Sequence, residues 1–162
     1  MIDSVTHSTR VHCDREALGA ELEATRIAFH AFLHALTTDQ WRQKGPGGAW
    51  TMAEVAEHLT WALEQLPKEV ASARQGKGMF NFPKRVADPL SYWMTRWNAR
   101  NVTPDTIGHR YDAAMTAVVR TLDNVKESEW ALGAQFYGHG FYTIADLFHT
   151  PADHLAEHAA GR

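Results

Sequence analysis

The stretch Trp50-Thr51-Met52-Ala53-Glu54-Val55-Ala56-Glu57-His58-Leu59 opens a helix and sets its inward face. Thr51 and Glu54 have the spacing of a capping box: the Thr hydroxyl accepts from the backbone N–H of Glu54, and the Glu carboxylate reaches back to the N–H of Thr51. Trp50 stands immediately before the cap, where it can staple the helix start. Behind it Met52, Val55, Leu59, Leu63 and Leu66 form an apolar stripe that continues to about Arg74. A helix with one apolar stripe must bury it, so this one needs partner helices.

Three further segments have the same periodicity. The first runs from about Asp14 to Leu36, with Leu18, Leu22, Phe29, Leu33 and Leu36 on one face. Another begins at Thr103-Pro104, an N-cap followed by a proline whose missing N–H costs nothing there. It buries Ile107, Tyr111, Ala114, Met115, Val118 and Leu122 and ends near Asn124. The last opens at Thr143, with a box in Thr143-Ile144-Ala145-Asp146, and turns Ile144, Leu147, Phe148 and Leu155 inward. Pro151 lies inside it, and Thr150-Pro151-Ala152-Asp153 is itself a helix start, so a kink or break is expected at that point.

Between the second and third of these helices lies a linker from Gln75 to Val102, punctuated by Gly76, Gly78, Pro83 and Pro89. Linkers this long are seldom structureless. Asp88-Pro89 predicts the start of a short extra helix on which Leu90, Trp93, Met94 and Trp97 share a face. That cluster reads as a satellite core, with a pocket wall or lid as the other reading. Gly133–Tyr142, rich in glycine and aromatics, reads as a loop over one end of the bundle. No stretch alternates apolar and polar residues long enough to argue for a sheet. The fold expected is all-α, a four-helix bundle formed by residues 1–162 as a single domain.

Composition narrows the function. With 162 residues, 44% hydrophobic and 22% charged, the chain can build its own core. A formal charge of −3 with no basic stripe argues against nucleic acid as a partner. No apolar run approaches the roughly 18 residues needed to span a bilayer and no signal peptide is evident, so the expected location is the cytoplasm, with no membrane partner. Cys13 is the only cysteine, so disulfides within the chain and cysteine-rich metal sites are excluded. Ten histidines are the one oddity.

Imidazole ligands of a transition metal are often one helical turn apart, because residues i and i+4 project from one face. His30/His34 and His154/His158 have that spacing. The first pair falls roughly 120–160° from the stripe of its helix, on the outer face, where solvent or a subunit contact is the ordinary reading. His154 and His158, at roughly 280° and 320° from Ile144, point toward the bundle interior or its edge, whereas His149, at roughly 140°, points away. Inward imidazoles need a hydrogen bond or a metal. His58 is the best third ligand, although roughly 100° from its own stripe it stands between a solvated flank and a rim-facing ligand.

The quoted opening of the second helix is similar to a stretch of the DinB/YfiT-like proteins: Trp, then Ser or Thr, then Glu three positions on, then His-Leu. The ending Thr143-Ile144-Ala145-Asp146-Leu147, followed by His154-Leu155-Ala156-Glu157-His158, resembles the closing motifs of the same family. The resemblance covers nearly the whole chain. It implies a four-helix bundle, frequently a homodimer, in which His58, His154 and His158 bind a divalent metal. Pro151 within the last helix is a departure from the family pattern.

Three neutral imidazoles leave coordination positions open, as in catalytic and not structural sites. Such a set suits zinc or nickel first, and also iron or copper. The resemblance points to thiol chemistry: a transferase that conjugates a low-molecular-weight thiol of the mycothiol or bacillithiol type to a small electrophile. Trp61, Trp93, Trp97 and Tyr142 are candidate pocket walls. The alternatives are a metal-dependent hydrolase using an activated water, with Glu54 as the catalytic carboxylate in preference to Glu57, or a non-catalytic bundle that binds a ligand or partner. The ordinary reading of both glutamates is a solvated helix surface. His139, in the glycine-rich loop, reads as a surface histidine that can also serve as an acid or base.

Overall fold

The computed structural model describes residues 14–45, 49–78, 84–136 and 140–159. Cys13 and His139 lie outside them. Four long helices carry the fold: α1 (Arg15–His34), α3 (Met52–Ala73), α5 (Pro104–Asp123) and α6 (Ile144–Ala159). Both α1 and α3 pack against α5 and α6, so α1 and α3 face each other across the diagonal of the bundle. Their stripes meet in one core that includes Leu22 and Phe29, Leu63 and Leu66, Ile107 and Tyr111, and Ile144 and Phe148. Phe29 and Tyr111 stack with ring centroids 3.7 Å apart. None of the helices described is long and apolar enough to cross a membrane.

Each long helix begins where a side chain satisfies the first free N–H groups. Asp14 accepts from the N–H groups of Glu16 and Ala17. Thr51 and Glu54 cap each other, at 3.2 and 2.8 Å. Thr103 and Thr106 do the same ahead of α5, and Thr143 and Asp146 ahead of α6.

Four features depart from the sequence reading. A one-turn helix, α2 (Thr38–Trp41), follows α1, started by a box between Thr37 and Gln40. It buries Trp41, whose Nε1 donates to the Val102 carbonyl at 3.1 Å. The linker helix, α4 (Lys84–Asn98), begins four residues before Asp88 and holds Pro89 inside it. The aromatic face of α4 is no satellite core: Leu90, Trp93 and Trp97 are 62%, 65% and 68% exposed. Gly133–Tyr142, read as loop, contains instead an antiparallel hairpin, β1 (Gly133–Phe136) and β2 (Gly140–Thr143), pairing Ala134 with Tyr142 and Phe136 with Gly140. Strands of four residues are too short for their alternation to stand out, although Ala134 and Phe136 turn inward as alternation requires.

The fourth departure is at Pro151, where α6 runs unbroken from Ile144 to Ala159. A proline removes the N–H that would bond the carbonyl four residues earlier, here Leu147. The hydroxyl of Thr150 donates to that carbonyl at 2.7 Å. The orphaned acceptor is thus satisfied, and the helix continues through Pro151 without the break that the sequence allowed.

Candidate metal centre

The strand β2 runs directly into α6, with Thr143 ending one and capping the other. This fixes α6 against α3, and the packing of the two helices brings His58 together with His154 and His158. One ring nitrogen from each lies within 4.8 Å of the others. The Nε2 atoms of His58 and His154 are 3.0 Å apart. The ring centroids are 4.8 Å apart for His58 and His154, 5.4 Å for His58 and His158, and 5.0 Å for His154 and His158. Trp50, the residue before the α3 cap, packs edge-on against His58 at 4.7 Å and stacks on His158 at 6.0 Å. The sequence reading gave Trp50 only a stapling role.

The electrostatics favour neutral rings. Burial, then the neighbouring His154 and His158, hold His58 far below the usual imidazole range, at about 3. Burial also lowers His158. With one Nε2 donating to the other, His58 still buries an Nδ1 that has no partner among the described residues. Toward a shared cation, both Nε2 atoms at the 3.0 Å contact would instead present lone pairs, each ring then carrying its proton on Nδ1. Two nitrogens bound to one zinc at about 2.0–2.1 Å with tetrahedral angles stand about 3.3 Å apart. The His58–His154 spacing is close to that, and one ring nitrogen of His158 lies within 4.8 Å of both. The donor set therefore fits a divalent ion. Nδ1 of His58 lacks the acceptor that metal-bound imidazoles usually have behind them.

His30, His34 and His149 lie elsewhere. His149 points to α1, where its Nδ1 meets Glu21 at 2.9 Å. His30 is half-buried against α5, its Nε2 2.8 Å from Asp112, and is not on a free outer face as its periodicity suggested. His34, one turn on, is exposed.

Neither candidate carboxylate is a solvated surface group. Glu54 caps α3 with Oε2 and pairs with Arg96 Nε through Oε1 at 3.1 Å, so both of its oxygens are engaged. Glu57 is 1% exposed and meets Arg110 Nη1 at 2.7 Å. Burial raises its carboxyl while the guanidinium opposes the shift. Arg110 also grips Glu64, joining α5 to α3. Glu57 is buried although it points away from the apolar stripe, because the start of α3 is enclosed on nearly every side, with residues 53–57 all buried.

A cavity of about 340 Å³ extends from His58 and His154 along α3. Trp61 and Tyr142 are in its wall as expected, whereas Trp93 and Trp97 are not. The hairpin supplies Phe136 and Tyr142, so the segment read as a loop in fact closes one side of the site. Glu69 and Tyr111, which the sequence did not mark, line it too.

Three histidines thus converge from two packed helices of a four-helix bundle at one end of a cavity, the arrangement of a bundle with a metal-binding site. The chain belongs to the DinB superfamily, whose sequence profile matches residues 21–160. Among solved structures it is similar to the mycothiol-dependent maleylpyruvate isomerase, with a TM-score of 0.70 and 12% identity over 91% of this chain and 60% of that one. A variant of that isomerase with a histidine replaced by alanine gives 0.69 and 11% over the same shares. A protein from Streptococcus pneumoniae gives 0.66 and 14% over 96% of this chain and 95% of that one. The chain spans about 60% of the isomerase's length. At such identities the likeness is one of fold. No curated protein matches the chain.

Proposed function

We propose that the chain is a metal-dependent enzyme that conjugates a low-molecular-weight thiol to a small electrophile, with His58, His154 and His158 holding a divalent ion, zinc or nickel first. The observation that carries this reading is the convergence of three imidazole nitrogens within 4.8 Å at one end of a cavity. The similarity to a mycothiol-dependent isomerase supports the choice of a thiol as cosubstrate.

When bound, the ion supplies a Lewis acid that lowers the pKa of a thiol and so raises the thiolate fraction at neutral pH. The chain supplies the rest. His58, kept neutral by burial, offers a lone pair without proton competition at pH 7. Trp50 covers the imidazoles on one side. Trp61, Phe136 and Tyr142 form an apolar wall that positions the electrophile and excludes water. In the reaction the thiolate sulfur forms a bond to carbon, and the displaced group leaves with the bonding electrons. Hydrolysis with Glu54 as base is the weaker reading, because the cap and Arg96 already occupy that carboxylate.

The test is a panel of haloaromatics and epoxides incubated with untagged, metal-loaded protein. Consumption should require both the thiol and the metal, stopping on chelation. Turnover without thiol would replace this reading with hydrolysis. A folded, metal-loaded protein inert across the panel would indicate a non-catalytic binding bundle.

A further inference from the structure

The cavity beside the histidines is one-sided in charge. It follows one face of α3 from His58 past Ala62 and Leu66 to Glu69, which is about 16 Å along the helix at 1.5 Å per residue. Besides the imidazoles and the phenols of Tyr111 and Tyr142, its ionisable lining is Glu69 together with Asp153 and Glu157 of α6 at the rim. Among the described residues no lysine or arginine lines it. Glu69, half-buried on the cavity wall, is also the exception among the carboxyls of α3 that face inward. Glu54 and Glu57 each hold an arginine. Glu69 makes no hydrogen bond or ion pair among the described residues, and burial alone pushes its carboxyl up to about 7. An isolated, desolvated acid on a cavity wall is better explained by a ligand than by the fold, which gains nothing from it.

We propose that the cavity takes a small ligand whose apolar body lies along Trp61, Phe136 and Tyr142 and whose remote end is a protonated amine held by Glu69, and that it rejects ligands carrying a carboxylate at that end. This rests on reading the cavity as the substrate site of the histidine centre. An ammonium meets a carboxylate in a partly desolvated setting where Coulomb attraction is strong, while an anion at that end meets Glu69 with no lysine or arginine among the described lining to offset it. Because Glu69 is largely protonated below about pH 7, binding an ammonium there releases its proton.

Calorimetry on the full chain with phenylbutylamine, phenylbutyramide and phenylbutyrate, before and after zinc loading, tests the proposal. The amine should bind at least about ten-fold tighter than the carboxylate, a difference of about 1.4 kcal/mol. Glu69→Gln, an isosteric change that removes a desolvated acid, should bring the two probes close to parity. Below neutral pH the wild-type heat should vary with the ionisation enthalpy of the buffer, reporting proton release without any variant. Absence of amine binding at millimolar concentration, a preference for phenylbutyrate, a preference that survives Glu69→Gln, or no buffer dependence would each overturn it. Amine preference without zinc uptake would leave this proposal standing and remove the metal reading; zinc uptake without the preference would do the reverse.

Discussion

Nε2 of His58 on α3 lies 3.0 Å from Nε2 of His154 on α6, across 96 residues of sequence. Two neutral imidazoles at that distance turn their Nε2 atoms toward each other, so that both lone pairs can hold one cation, and His158 brings a third ring nitrogen within 4.8 Å of them.

His58→Ala, His154→Ala and His158→Ala should each lose stoichiometric metal, measured by elemental analysis of protein purified without a histidine tag. His30→Ala, His34→Ala and His149→Ala should keep it, since those rings face Asp112, solvent and Glu21. Full occupancy after loss of His58 would remove the three-ligand site.

Glu69 predicts a dependence of stability on pH. Burial holds its carboxyl at about 7 in the folded state, above the ordinary 4.5, so the folded state binds more protons than the unfolded state between these values. Its contribution is therefore unpenalised below about pH 4.5, increasingly unfavourable as pH rises to about 7, and constant above that. Glu69→Gln should stabilise the protein by about 2–3 kcal/mol above pH 7 and leave it nearly unchanged in acid. Urea unfolding at both ends of that window checks this, and an equal shift at each would refute it.

Arg110→Met should strand Glu57, which is 1% exposed, and destabilise the protein by about 3 kcal/mol. Adding Glu57→Leu should recover much of the loss, because a buried pair replaced by apolar side chains leaves no unpaired charge. Additive losses in the double mutant would show that the pair is not coupled.

Thr150→Val should lower stability by about 1–2 kcal/mol by taking away the hydroxyl that serves the Leu147 carbonyl. In a Pro151→Ala background, where a backbone N–H returns, the same substitution should cost less. Equal costs in the two backgrounds would show that the hydroxyl does not compensate for the proline.

We expect a homodimer built on the exposed face of α4, where Leu90, Trp93 and Trp97 are each more than half exposed. Sedimentation at micromolar concentration should give the dimer mass for the wild type and the monomer mass for a Trp93→Lys/Trp97→Lys variant. A monomeric wild type would rule this out.

Much of the molecule is determined locally, and local determinants are legible in sequence. The starts of α1, α3, α5 and α6 follow from caps in which a side chain meets an N–H two or three residues away. The inward stripes follow from the helical period, as does the pairing of His154 with His158. The Thr37–Gln40 box was present by the same rule and would have announced α2. What the sequence left open depends on contacts between distant segments. Periodicity measures direction around one helix and says nothing of how many neighbours enclose it. For that reason His58 stayed ambiguous until α6 was seen beside it, and Glu57 proved buried although it points away from its stripe. Trp93 and Trp97 likewise have the pattern of a core without the neighbours to make one. The unpartnered carboxyl of Glu69 could not be read from sequence at all, because being alone in a cavity depends on every element around it.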